Sequence, residues 1–395
     1  MNYTFSDKIA ELKPSAIREI FKSLTDPTII SFAAGNPAPE SFPVSELATL
    51  SEEIFRTNAS AALQYGITEG YAPLRQAVEK RQKERFGTVC DGDSTLIVSG
   101  GQQGIELVCK VFCNEGDTVI CEDPSFIGAL NSFRSNGAKT VGVPMESDGI
   151  SIEALEQTLR TSKNAKLLYL IPTFQNPSGI TMSLEKRYAV LALAKKYGVI
   201  ILEDNPYGEL RFAGEDIPTI KSLDTEGLVV YCSSFSKILS AGMRVGFVIA
   251  PEEIAKKLAV AKQGEDVHTN LFFQMLCHAY MERYDLDGHI RRINDLYRRK
   301  CNLMLSCIDE YIPAERVSFT RPEGGLFIWG TIRNCTDSSL LVQKALEQKV
   351  AVVPGSAFLC DTTATSPSFR LNYSTPSDEQ IVEGIGRLGA VIRSL

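Results

Sequence analysis

A chain of 395 residues has room for roughly two to three domains and a sizeable core. It is 44% hydrophobic and 23% charged, with a formal net charge of −7, which is ordinary for a globular enzyme. No basic block invites nucleic acid, and no apolar run approaches the ~20 residues a membrane helix needs.

The chain begins with mixed charges over Met1 to Lys13 and no apolar stretch of signal-peptide type. One short helix is expected near Ser15 to Leu24 in an otherwise Pro-rich opening of about 45 residues, which should pack with the C-terminal region. From about residue 95 to 250, short apolar runs alternate with amphipathic helical patterns. The strand candidates are Thr95–Val98, Thr118–Cys121, Lys139–Val143, Lys166–Ile171, Val199–Glu203, Leu228–Cys232 and Val245–Ala250. Several are apolar almost throughout, as strands buried on both faces are. Helices are predicted at Gln103–Cys113, Ile152–Arg160 and Ser183–Tyr197, the last with capping residues Thr181 and Ser183 before it and Gly198 after it. This alternation predicts an α/β domain with a mostly parallel, seven-stranded sheet. Beyond residue 251 long helices are expected at 252–263, 268–284 and 287–310. A smaller α+β region follows, with strands at Gly325–Trp329, Ala351–Val353 and Phe369–Tyr373.

The ten cysteines are scattered through these elements and read as reduced thiols in a cytoplasmic protein. Cys109 and Cys113 sit one helical turn apart but lack companions at zinc spacing, so packing explains them. His268, His278 and His289 form no ligand set and read as structural. No metal is expected.

The unusual motifs fall at strand ends, where open α/β sheets bind ligands. Ser233-Ser234-Phe235-Ser236-Lys237 follows the strand Leu228–Cys232, and Arg244 comes seven residues after the lysine. A lysine amine among hydroxyls, with a guanidinium nearby, suits an imine with an aldehyde whose phosphate the other groups hold; a solvent-facing lysine is the plainer alternative. That chemistry points to pyridoxal phosphate. Ser99-Gly100-Gly101-Gln102-Gln103-Gly104 opens a helix, where backbone N–H groups can meet a phosphate, although a tight turn explains the glycines equally. Its spacing is neither the dinucleotide fingerprint nor a Walker loop. Glu203-Asp204-Asn205-Pro206-Tyr207 places carboxylates at a buried strand end, a costly position unless they are paired. Gln175-Asn176-Pro177-Ser178-Gly179 is a turn after another apolar strand. The joint occurrence of these motifs carries the argument.

With Asn-Pro-x-Gly, Asp-x-x-Tyr, Ser-x-Ser-Lys and a late Phe369-Arg370-Leu371 in this order, the chain resembles the class I/II aminotransferases of PLP fold type I. The resemblance runs essentially end to end, from Gly35-Asn36-Pro37 to Phe369-Arg370-Leu371, and is strongest to the 2-aminoadipate, kynurenine and aromatic branch. It implies a three-layer α/β/α large domain over 46–285 and a smaller α+β domain formed by 1–45 and 286–395. It also implies that Lys237 binds the cofactor aldehyde and later moves the proton between Cα and the cofactor's C4′. Asp204 then faces the pyridine nitrogen and keeps it protonated, while Asn176 and Tyr207 meet the ring's 3-oxygen. Phe126 stacks on the ring. Gly101, Gln102, Ser234, Ser236 and Arg244 hold the phosphate. Tyr65 reaches the phosphate of a neighbouring protomer, so the implied assembly is a homodimer with shared sites. Arg370 clamps the substrate α-carboxylate, Gly35 and Asn36 line the substrate side, and Arg18, in Pro14-Ser15-Ala16-Ile17-Arg18, meets a distal carboxylate unless it is simply solvated.

The expected activity moves an amino group between an L-amino acid and a 2-oxo acid, with 2-oxoglutarate and glutamate as one pair. A PLP-dependent C–S β-lyase uses the same core residues. A PLP-binding transcription regulator would need a DNA-binding module, and the segment before Gly35 reads as too short for one. A nicotinamide dehydrogenase would need the missing glycine fingerprint.

Overall fold

Seven apolar runs become the long strands of one sheet. The structure, a computed structural model, describes residues 3–10 and 26–395. Its first strands are β1 (Ile30–Ser31), β2 (Asp93–Val98), β3 (Thr118–Asp123), β4 (Lys139–Glu146), β5 (Gly149–Ile150), β6 (Ala165–Leu170), β7 (Ile200–Asp204), β8 (Val229–Ser234) and β9 (Gly246–Pro251). The large sheet has the order β2-β9-β8-β7-β6-β3-β4-β5. Its pairings are parallel from β4 through β3, β6 and β7 to β8. Only β9 and the two-residue β5 run against their neighbours. The sequence reading gave seven strands; the eighth, β5, is a short hairpin partner of β4 and too brief to carry a periodic signal.

Burial explains the composition of these strands. Every residue of β8 is buried, as are the last four of β6 and β7. Helices cover both faces, so each fully buried Val, Ile or Leu contributes about 1.5–3 kcal/mol. The helix Leu184–Tyr197 follows its predicted punctuation: the Ser183 hydroxyl accepts from the Lys186 N–H, and Gly198 closes it at φ 68°. Gln103–Cys113 proves to be Gly101–Phe112, beginning earlier because Gly100 turns the chain at φ 79°.

Helices at Val44–Leu63, Ala72–Phe86, Ile127–Ser135, Ser339–Glu347 and Asp378–Ser394 have no counterpart in the sequence reading. Ala72–Phe86 shows why: nearly half of it is charged, and only Leu74, Val78 and Gln82 are buried. That stripe is too thin to stand out as a period.

The second sheet contains β10 (Val317–Phe319), β11 (Phe327–Ile332), β13 (Val353–Pro354) and β14 (Ser368–Asn372), ordered β10-β11-β14-β13 and antiparallel throughout. The expected strand Ala351–Val353 is split between β12 (Val350–Ala351) and β13. β1 pairs in parallel with β12, and the Asn372 N–H donates to the Phe32 carbonyl, so the early chain does pack on the C-terminal region. The helix expected at Ser15–Leu24 lies outside the described residues. Among the described residues, no helix is long and apolar enough to cross a membrane.

Candidate active site

The C-terminal ends of β2, β3, β6, β7 and β8, with the start of β9, surround a cleft of about 510 Å³. The mostly parallel sheet brings these ends to one edge, as expected for an α/β fold. All the residues selected from the sequence line this cleft except Tyr65 and Arg18. Arg18 lies outside the described residues. Tyr65 is 80% exposed, its ring edge-on to His268 at 5.8 Å, and within one chain it stays apart from the site.

Lys237 leaves the turn after β8 and donates from Nζ to the Gly35 carbonyl at 2.8 Å. Burial, with Arg370 and then Arg244 nearby, pulls its pKa down to about 8. An amine in that condition is partly neutral near pH 7–8, as a nucleophile and base must be.

Asp204 ends β7 and is buried. Its Oδ2 accepts from the Tyr169 hydroxyl at 2.7 Å. Among the described residues no donor reaches its Oδ1. Burial pushes the carboxyl up to about 7, and the Tyr169 bond opposes that rise. Its neighbour Glu203 points elsewhere and accepts from the N–H groups of Ile220 at 3.0 Å and Lys221 at 2.7 Å. The carboxylate pair of the motif therefore divides into one that caps a helix and one that faces the cleft.

One end of the cleft is a ring of donors. The Ser234 hydroxyl donates to Ser236 Oγ at 2.7 Å, and the Ser236 N–H donates back to Ser234 Oγ at 3.0 Å. Arg244, at φ 56°, donates to the Ser99 and Ala241 carbonyls, each at 3.2 Å. A Cβ on Gly100 would stand 2.3 Å from its Nη2, so the glycine makes room for the guanidinium. The first N–H groups of the helix Gly101–Phe112 lack intrahelical partners and add their dipole. The Gln102 side chain is engaged elsewhere, donating to the Gly128 carbonyl at 2.9 Å and to Ser132 Oγ at 2.8 Å. This leaves its backbone N–H as the group it can offer.

The other end holds Arg370, on β14 and buried. It donates to Asn176 Oδ1 at 2.8 Å and to the Ala33 carbonyl at 2.7 Å. Both acceptors are neutral, and its buried Nε has no partner. Its guanidinium lies 4.3 Å from the centre of the Phe327 ring and 4.9 Å from that of Phe358. Burial lowers its pKa to about 10, with Tyr207 opposing the shift. A buried cation without a carboxylate is costly, and an incoming anion would offset that cost. Tyr207 is buried beside it, and burial holds the phenol well above its ordinary value. Phe126 and Asn36 complete the lining, the Asn36 carbonyl accepting from Ser374 Oγ at 2.6 Å.

Sequence reasoning missed Tyr169, Phe327 and Phe358. Tyr169 is the sole hydroxyl in the apolar run Ala165–Leu170, which is a weak local signal. The two phenylalanines meet Arg370 only through the fold.

Fold and site together define an α/β enzyme that sets a lysine amine, a buried carboxylate and an anion cradle around one cleft. The chain belongs to the aminotransferase class I and II family, whose model matches residues 27–388. It is similar to the aromatic-amino-acid aminotransferase 1 of Thermococcus litoralis, at 40% identity over 98% of this chain and 94% of that protein. The crystal structure of the Pyrococcus horikoshii kynurenine aminotransferase, in complex with PMP and kynurenine, superposes with a TM-score of 0.95 at 38% identity, covering 99% of this chain and 97% of that one. That of the Thermus thermophilus alpha-aminoadipate aminotransferase, complexed with N-(5'-phosphopyridoxyl)-L-leucine, does so with a TM-score of 0.90 at 38% identity and the same coverage.

Proposed function

We propose that the protein is a pyridoxal 5'-phosphate-dependent aminotransferase that moves an amino group between an L-amino acid and a 2-oxo acid, with 2-oxoglutarate and glutamate as one pair. The observation that carries this reading is the convergence of Lys237, Asp204 and a carboxylate-free Arg370 on one cleft. The donor set fits the cofactor: unpartnered N–H groups at a helix start and the serine–arginine ring suit a phosphate, and the open Oδ1 of Asp204 suits a protonated ring nitrogen. When bound, pyridoxal phosphate supplies an aldehyde for amino groups and a ring that accepts the electrons released at the substrate Cα.

The chain's own residues do the rest. Gly101, Gln102, Ser234, Ser236 and Arg244 hold the phosphate, Gln102 by its backbone. Asp204 would keep a positive charge on the ring nitrogen, Phe126 would pack on the ring, and Asn176 and Tyr207 would meet its oxygen. Arg370 would fix the substrate α-carboxylate beside Gly35 and Asn36 and so orient the substrate Cα in the cleft. Lys237, with its lowered pKa, would take the proton from the substrate Cα and return it to the carbon that was the cofactor's aldehyde carbon. The kynurenine, aminoadipate and aromatic substrates of the relatives support an amino acid with a large side chain.

A homodimer belongs to the same reading, with Tyr65 completing the partner's site. The exposed Phe55, Leu63, Tyr65 and Ile67 support it as an apolar surface. The reading also includes a two-unit division at 46–285 against 1–45 with 286–395, supported by separate sheets in the two parts, and a cytoplasmic location, supported by mostly buried free thiols. The decisive experiment is Lys237→Ala. Loss of both the visible absorbance of the bound cofactor and of keto-acid-dependent amino transfer is expected; full activity in that variant refutes the function.

A further inference from the structure

Tyr169 and Asp204 lie on adjacent parallel strands. Tyr169 is paired in register with Leu202, two residues before Asp204. Residues i and i+2 share a face of a strand, so Tyr169, Leu202 and Asp204 point the same way. A phenol can span such a diagonal, and here it does: its hydroxyl reaches Asp204 Oδ2 at 2.7 Å. Tyr169 is fully buried, and this is the single hydrogen bond of its hydroxyl among the described residues. Phe133 packs against the ring edge-to-face, the ring centres 5.4 Å apart.

The other groups around Asp204 do not duplicate this contact. Cys232 is its register partner on β8, and Cys121 is that of Tyr169 on β3. The Asp204 charge helps hold the protons of Glu122 on β3 and Tyr207 beyond β7, and neither makes a hydrogen bond to it among the described residues. Lys237 and the rest of the cleft lie on the open side. The phenol is thus the one donor, among the described residues, to a carboxylate that burial pushes towards protonation.

Resting on the function proposed above, we propose that Tyr169 is a positioning residue for Asp204. Its hydroxyl holds Oδ2 in place, turns Oδ1 to the cleft and keeps the carboxylate ionised, and thereby sets how firmly the cofactor's pyridine nitrogen keeps its proton. Without that bond the carboxylate is the stronger base, and the shared proton moves from the ring nitrogen towards Asp204.

The test uses the holoenzyme reconstituted with pyridoxal phosphate labelled with nitrogen-15 in the ring, in the wild type and in Tyr169→Phe, Phe133→Leu and Asp204→Asn. Tyr169→Phe removes one oxygen and keeps the shape. The ring-nitrogen resonance is expected to move towards that of unprotonated pyridine, with kcat falling about tenfold and KM changing less than about twofold, the scale of one charged hydrogen bond. Titration of the cofactor-free variant should show weaker uptake of pyridoxal phosphate than in the wild type. Phe133→Leu loosens the packing but keeps the hydroxyl, and its resonance should match the wild type. If Phe133→Leu moves the resonance as far as Tyr169→Phe, packing and not the hydroxyl is responsible, and the inference is overturned. If Tyr169→Phe retains the wild-type resonance and kcat while Asp204→Asn loses both, the inference about Tyr169 fails and the proposed function stands. If Asp204→Asn also retains both, the two fall together.

Discussion

Replacing Arg370 by methionine separates binding from stability. The guanidinium is buried, donates to two neutral acceptors and has no carboxylate within reach among the described residues. A substrate carboxylate would receive charged hydrogen bonds of about 1.5–3 kcal/mol each, so losing two costs about 3–6 kcal/mol. That is a fall in kcat/KM of about two to four orders of magnitude. The folded protein responds differently. Methionine fills similar space between Phe327 and Phe358 and removes an uncompensated buried charge, which stabilises. The orphaned acceptors Asn176 Oδ1 and the Ala33 carbonyl cost about 1–3 kcal/mol each and offset that gain. The melting temperature of the cofactor-free protein is therefore expected to stay within about 5 °C of the wild type. The assay is the half-reaction with an amino acid, run beside an amine of the same side chain that lacks the carboxylate. The amino acid should lose its advantage over the amine. A melting temperature lowered by much more than this, with an unchanged amino-acid rate, would show that Arg370 is a structural strut and refute the reasoning.

Other consequences are open to measurement. Gly100→Ala puts a side chain at φ 79° and against Arg244, so uptake of pyridoxal phosphate by the cofactor-free protein should weaken at least tenfold, read by absorbance titration. Burial raises Asp204 to about 7 and Glu122 to about 8, so the native cofactor-free protein holds protons that the unfolded chain has released. Its stability should fall as pH rises from about 4 towards 8, by up to about 1.4 kcal/mol per pH unit for each group, and Asp204→Asn should flatten the Asp204 part of that slope in denaturant unfolding. Mixing inactive Tyr65→Ala with inactive Lys237→Ala should restore roughly a quarter of wild-type activity if sites are shared across a two-fold dimer. No recovery after demonstrated subunit exchange would place Tyr65 outside the site.

Local features of the fold were the easiest to read. Seven strands, the capped helix ending at Gly198 and the motifs at the strand ends each depend on a few consecutive residues. Lys237, Asp204 and Asn176 were visible because a polar group at the end of an apolar strand breaks a pattern. The helix Ala72–Phe86 was invisible because its inward stripe is thin. Tyr169 was invisible because its meaning lies in sheet register, 35 residues away from Asp204. Phe327 and Phe358 were invisible for the same kind of reason: β11 and β13 pair with β14, and only that pairing brings the rings near Arg370.

Overall charge told least about the site, and the reason is physical. The chain is acidic, at −7, yet the charged groups lining the cleft are Lys237, Arg244 and Arg370 against Asp204 alone. Three cations and one anion gathered in an acidic protein repel each other unless a ligand brings negative charge. The two arginines stand in different settings, Arg244 exposed beside serines and Arg370 buried between aromatic rings. The first suits a hydrated, multiply charged phosphate, and the second a single planar carboxylate drawn out of water. A ligand with one anion of each kind, reaching past Lys237 from one arginine to the other, satisfies the cleft; a ligand with only one leaves a cation uncompensated.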